Sequence, residues 1–183
     1  ELGFTALMIA CINIDDSSNI ETMKLLLESK CDLNVQNKSG YTALMYLCED
    51  PELKQYSDAI KLLIDAGCNV NLANNEGMTA LLFACKNENV EFVELLIKAG
   101  SNVNHKEKKE KMTPLMIAVL QNNDKIVKLL IDTELCNYYL EADNGYTAIG
   151  FCYFSRATEK VSKLMIKTRS NLNSQNKDGH TPL

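Results

Sequence analysis

Short, densely apolar runs alternate along this chain with longer segments whose apolar positions recur every three to four residues. Leu81-Leu82-Phe83-Ala84-Cys85 is one such run, with Thr79 before it and the polar stretch Lys86-Asn87-Glu88-Asn89 after it. It predicts a short helix buried on most of its circumference. From Val90 to Ala99 the pattern is amphipathic, with Val90, Val93, Leu96 and Ile97 on one side and Glu91, Glu94 and Lys98 on the other. That spacing predicts a second helix with a single buried face. Gly100 follows as a left-handed cap, as Gly67 does one unit earlier, and Asn74-Asn75-Glu76-Gly77 is a turn cluster ahead of the next threonine.

The same order repeats. Gly3-Phe-Thr-Ala-Leu-Met, Gly40-Tyr-Thr-Ala-Leu-Met, Gly77-Met-Thr-Ala-Leu-Leu, Lys111-Met-Thr-Pro-Leu-Met, Gly145-Tyr-Thr-Ala-Ile-Gly and Gly179-His-Thr-Pro-Leu are copies of one start. Their threonines, 5, 42, 79, 113, 147 and 181, are spaced by 37, 37, 34, 34 and 34. A mid-unit mark runs Leu25-Leu26-Leu27, Leu62-Leu63-Ile64, Leu95-Leu96-Ile97, Leu129-Leu130-Ile131 and Leu164-Met165-Ile166. A closing mark runs Leu33-Asn34, Val70-Asn71, Val103-Asn104, Tyr138-Tyr139 and Leu172-Asn173. Threonine is a good N-cap and proline fits the first helical position, as in Thr113-Pro114 and Thr181-Pro182. Each unit therefore reads as turn, helix, loop, helix, and internal repetition outranks any local reading of the fold.

On these residues the chain resembles the ankyrin-repeat family, whose unit is about 33 residues with a T-P-L-H-x-A signature. The resemblance implies an all-α repeat solenoid, an ankyrin-repeat stack of helix-turn-helix units carrying β-hairpin fingers. It covers 1–183 as a single domain with units near 1–36, 37–73, 74–107, 108–141 and 142–175, and a partial sixth at 176–183. Departures are local. The family's histidine is replaced by Met8, Met45, Leu82, Met116 and Gly150, so packing must stand in for its hydrogen bonds. Lys111 takes the place of a turn glycine and Tyr139 that of the closing asparagine. The first two units carry four extra residues between their helices, around Asp15–Asn19 and Asp50–Gln55; four residues is close to one turn, so lengthened helices would stay in register. The fourth unit has one residue more after Ile131, the fifth one more before Leu164, and the finger between Asn104 and Thr113 one more than its equivalents. Solenoids normally end in atypical, polar-faced repeats. Neither end shows one, so the expectation is an excerpt or an incompletely ordered product.

Composition narrows the function. The chain has 183 residues, net charge −5 and 46% hydrophobic residues, which fits a folded domain and gives no bulk attraction for phosphate. Its apolar runs are too short for a membrane helix. Seven cysteines and two histidines, with no C-x-x-C pair, lack the usual zinc spacing. Cys11, Cys48 and Cys85 each fall six residues after a threonine and Cys152 five after; Cys31, Cys68 and Cys136 follow the second helix. Equivalent placement reads as packing, with reactive or metal-binding thiols as the alternative, and reduced cysteines lead to an expectation of an intracellular protein, cytoplasmic or nuclear. No phosphate loop, dinucleotide fingerprint, zinc-protease motif or nucleophile elbow is present. His105 is expected at a finger base and His180 at a tip, and Asp15-Asp16 and Glu49-Asp50 in inter-helix loops. The Lys106–Lys111 run holds four lysines and two glutamates, either a solvated insertion or a contact for an acidic partner; without interleaved aromatics it argues against nucleic acid. No catalytic, cofactor or metal residue is assigned.

What remains is a non-catalytic module that binds a partner protein, or, as the alternative, a regulatory or substrate-recruiting segment of a larger enzyme such as a kinase, ubiquitin ligase or secreted effector. The residue before each threonine recurs as Phe4, Tyr41, Met78, Met112, Tyr146 and His180. In the geometry the resemblance implies, this position lies on the finger and faces the concave side, so the six would bind the partner or else pack between adjacent fingers. Tip residues Lys38, Ser39, Asn75, Glu76, Asp143, Asn144, Lys177 and Asp178, with Glu49 and Lys86 at the end of the first helix, complete the candidate surface.

Overall fold

A computed structural model describes residues 2–14, 17–51, 56–168, 173 and 175–181. Among them the threonine-led apolar runs form the short helices α1 (Ala6–Ile12), α3 (Ala43–Glu49), α5 (Ala80–Lys86), α7 (Pro114–Leu120) and α9 (Ala148–Phe154). The amphipathic segments form α2 (Ser17–Glu28), α4 (Ser57–Asp65), α6 (Val90–Lys98), α8 (Asp124–Asp132) and α10 (Glu159–Lys167). The fold class is an all-α repeat solenoid, and contacts divide it into two units, residues 1–101 and 102–183. In the first unit α1, α3 and α5 pack in a row, backed by α2, α4 and α6; in the second, α7 packs on α9 and α8 on α10.

Helix starts follow the sequence logic. Thr5, Thr42, Thr79 and Thr113 each accept the amide three residues on through the side-chain oxygen, at 3.2–3.3 Å. This satisfies a donor that the first turn leaves orphaned. Thr147 caps α9 by backbone conformation alone, and its buried hydroxyl oxygen has no partner. Where the family signature has histidine, Met8, Met45, Leu82 and Met116 are buried, so close packing fills that site. At the fifth copy Tyr146 fills it instead: a Cβ on Gly150 would stand 2.7 Å from Tyr146 Cδ1.

Some expectations change. In α6 the buried residues are Phe92, Val93 and Leu96, while Val90 and Ile97 are only half-buried; Val93 and Leu96 hold the expected face, which extends toward Phe92 instead. In the first repeat α2 has 12 residues, whereas α4 keeps the 9 of its later equivalents, and most of the second insertion falls outside the described residues. Asp15, Asp16, Glu52–Gln55, Leu172 and Pro182 lie outside the described residues. The fingers are tight turns, two of them closed by a single antiparallel bridge, Ala73 with Thr79 and Glu141 with Thr147, with no extended strand among the described residues.

All seven cysteines are free thiols, with Cys11, Cys48, Cys85 and Cys136 buried. Burial pushes the Cys11 thiol up to about 12, with a smaller contribution from Cys68, and holds Cys68, Cys136 and Cys152 at about 11 against an ordinary 9.0. The folded thiols stay protonated where unfolded ones ionise, so the unfolded chain binds fewer protons above about pH 9. Stability should therefore be flat below that pH and fall between about pH 9 and 11 in denaturant titrations. Alkylation of the buried thiols by a bulky maleimide at pH 7.5 should track unfolding; stoichiometric labelling of Cys11 in the folded protein would contradict this.

Candidate functional site

The fingers are built by a recurrent side-chain device. Asn37 Oδ1 accepts the amides of Ser39 and Tyr41, Asn74 Oδ1 those of Glu76 and Met78, and Asn176 Oδ1 those of Asp178 and His180, at 2.7–3.0 Å. Each buried asparagine thereby ties a turn whose tip faces water. In the finger with one residue more, Glu107 takes over: its carboxylate accepts Glu110 N at 2.7 Å and Met112 N at 3.0 Å, and also Lys109 N. The Lys106–Lys111 run is thus anchored from within, a role its charge pattern conceals. Glu107→Ala should free this finger, raising amide exchange of Met112 at least tenfold while the Asn37 finger stays unchanged. Unaltered exchange would mean the carboxylate bonds carry no load.

Adjacent fingers are joined through the backbone. Lys38 N donates to Leu2 O, Asn75 N to Ser39 O, Asp143 N to Glu110 O and Lys177 N to Asn144 O, at 2.7–3.2 Å. The turn glycines that permit this approach take positive φ, +80° at Gly40 and +82° at Gly145, and Lys111 adopts the same conformation at +55°.

The candidate surface divides on inspection of its side chains. Lys38, Ser39, Asn75, Glu76, Asp143, Asn144, Lys177 and Asp178 are exposed at the tips, Lys86 and His180 are exposed, and Glu49 and Tyr41 are half-buried. Phe4 is 39% exposed. Met78, Met112 and Tyr146 are buried at 6–8% exposure, which corrects the expectation of a continuous bindable stripe. The turn bonds do not decide this, since Asn37 and Asn176 hold the amides of the accessible Tyr41 and His180 in the same way; burial follows from what each side chain meets, as where Tyr146 enters the space that Gly150 vacates.

In the first unit the accessible members of the stripe join an aromatic ladder that the sequence reading missed. Phe4 and Tyr46 stack at 5.7 Å, Tyr41 and Tyr46 at 5.0 Å, and Tyr41 meets Phe83 at 5.7 Å. Tyr41 donates its hydroxyl to Glu49 at 2.8 Å, and the Asn37 amide donates to the Tyr46 hydroxyl at 2.8 Å. Burial, followed by the Glu49 bond, drives the Tyr41 phenol well above its usual range; burial raises Tyr46 as well. Both rings are held in place by their polar ends. Ile9, 50% exposed, and Ile12, also exposed, lie on the neighbouring helix α1.

In the second unit Met112, Asp143, Asn144, Lys177 and Asp178 come together around a groove of about 660 Å³, with Leu120, Phe151 and Phe154 from α7 and α9. Tyr146, Phe151 and Phe154 are in mutual ring contact at 5.6–6.4 Å. Phe154 is 63% exposed and Leu120 is exposed as well. Tyr46 and Ile9 stand four residues after their threonines, Ile12, Leu120 and Phe154 seven after, so the repeat register that marked Glu49 and Lys86 could have found them. Among the described residues, no group of three or more His, Cys, Asp or Glu side chains could hold a metal ion, and no helix is long and apolar enough to cross a membrane.

Comparison with known proteins agrees with this architecture. The family model described as ankyrin repeats (3 copies) matches residues 52–140, and that of the single ankyrin repeat matches residues 2–38. No curated protein sequence matches. Among solved structures, the chain is similar to a chain in the structure described as Bd0816 predatory endopeptidase from Bdellovibrio bacteriovorus in complex with immunity protein Bd3460. The identity is 31% over 98% of this chain and 89% of that one, with a TM-score of 0.80.

Proposed function

This chain belongs to the ankyrin-repeat family, and we propose on that premise that it is a binding module, without catalysis of its own, that holds another protein against its fingers and first helices. One observation carries the assignment of this face. Ile12, Leu120 and Phe154, each seven residues after its threonine, expose apolar surface at the ends of three first helices, joined by Phe4 and Ile9, whereas the exposed Leu25 on α2 and Ile166 on α10 have half-buried equivalents in the other repeats. Large apolar side chains left in water at fixed repeat positions suit a protein interface, whose centre is rich in aromatic and aliphatic anchors. The exposed tips supply the polar rim. Similarity to a chain of a structure described as an endopeptidase in complex with an immunity protein supports binding of a partner protein. The seven thiols fit a reducing, intracellular compartment.

The test is site-resolved cross-linking in extracts of the cells that make the protein. A photo-reactive benzoylphenylalanine at Ile9 or at Phe154 should trap the same partner, and one at Leu25 on α2 or Ile166 on α10 should not. Equal trapping from α2 or α10 would move the contact off the finger face and defeat the reading. Purified protein should show no turnover that a single substitution abolishes.

A further inference from the structure

The groove of the second unit has a chemistry that selects its occupant, an inference resting on the reading that the finger face binds protein. Its floor is apolar, Met112, Ala142 and Phe151, and Phe154 projects beside it with most of its ring in water. Its finger wall is fixed through main-chain amides, because the Glu107 carboxylate accepts those of Glu110 and Met112 and the Asp143 amide donates to Glu110 O at 2.7 Å. The opening is therefore preorganised.

The rim favours a cation. Glu110, Asp143 and Asp178 face Lys109 and Lys177 across it. Both lysines are engaged, Lys109 with Glu110 at 4.0 Å and Lys177 with Asp143 at 3.8 Å, and Asp143 also has Lys111 at 3.4 Å. Asp178 has no lysine or arginine within salt-bridge distance among the described residues, and its side chain meets only the Asn176 amide, at 3.4 Å. Counting Lys111, lysines and carboxylates around the opening balance, and Asp178 is the carboxylate left without a lysine among the described residues; an apolar side chain with a neighbouring positive charge would satisfy both floor and rim. We propose that this groove receives an apolar side chain of the protein partner, aromatic or leucine, followed by a basic residue that pairs with Asp178.

The probes are three capped dipeptides, acetyl-Phe-Arg-amide, acetyl-Phe-Glu-amide and acetyl-Ser-Arg-amide, titrated into the whole chain while methyl NMR signals of Met112 and Leu120 are followed. Acetyl-Phe-Arg-amide should shift these signals saturably at millimolar concentration. Replacing Phe by Ser should weaken binding about tenfold and replacing Arg by Glu about threefold or more. Asp178→Asn should erase the preference for Arg over Glu, and Phe154→Ala, at an exposed ring, should weaken acetyl-Phe-Arg-amide with the fold intact. No shift with acetyl-Phe-Arg-amide, or equal binding of acetyl-Ser-Arg-amide or acetyl-Phe-Glu-amide, would overturn the proposal. A cross-linked partner that is lost on Phe4→Ala or Ile9→Ala but is indifferent to Phe154→Ala would overturn the groove alone and leave finger-face binding standing.

Discussion

Truncating Leu96 to alanine is expected to remove about 2–5 kcal/mol of stability, the range for a fully buried aliphatic side chain whose cavity cannot close. Leu96 has no exposed surface and lies in α6, which packs on α4 and α5, so the void opens against the helices of its own repeat and the one before it. In a stack whose repeats lean on their neighbours, the loss extends beyond the damaged repeat. Glu91, on the same helix, is exposed and 3.9 Å from Lys61; Glu91→Ala should change stability by no more than about 0.5 kcal/mol. Urea denaturation with unchanged m-values would measure both. Equal losses would show that the assigned inward face of α6 is wrong.

The second large effect is expected at a finger. Gly40 sits at φ +80°, and an added Cβ would come within 2.7 Å of Asn75 N and 2.9 Å of Asn74 Cα. Both neighbours are backbone, so the next finger has to move away, breaking the 3.0 Å bond from Asn75 N to Ser39 O. Gly40→Ala should cost the left-handed penalty of about 1–2 kcal/mol plus this separation, about 3 kcal/mol or more in all. Gly100 gives the control. Its φ is +84° with nothing within 4 Å of the built Cβ, so Gly100→Ala should cost only the conformational part, about 1–2 kcal/mol. Thermal melts of the two variants separate the terms, and identical shifts would mean that finger contact adds nothing.

Much of the architecture was legible because it rests on translation. Six threonines in phase identify equivalent positions, and capping chemistry, turn glycines and the apolar spacing then assign an element to each stretch. Translation does not say which way a side chain points inside a turn. Met78, Met112 and Tyr146 share their register with Phe4 and His180, yet the first three are buried and the last two exposed. The period also failed where one repeat borrows a solution from another residue type. Glu107 does for its finger what Asn37 and Asn74 do for theirs, and a lysine-rich neighbourhood masks this as solvated charge. Phe92 escaped because the stripe of Val90, Val93, Leu96 and Ile97 ends at Leu96; at about 100° per residue Phe92 lies about 40° beyond Leu96, on the side away from Val90 and Ile97. For the surface, the offset that picked Glu49 and Lys86 also picks Ile12, Leu120 and Phe154, so that part lay within reach of the register.

The finger-to-finger bonds have an evolutionary consequence. Pitch from one tip to the next is set by main-chain groups of Leu2, Lys38, Ser39, Asn75, Glu110, Asp143, Asn144 and Lys177, and main-chain groups are common to every residue except proline. Tip side chains can therefore drift under selection while the spacing between them is inherited intact. A library that randomises Lys38, Asp143 and Lys177, excluding proline, should yield mostly folded members with new partner preferences, so a lineage carrying this scaffold can change targets without first surviving an unstable ancestor.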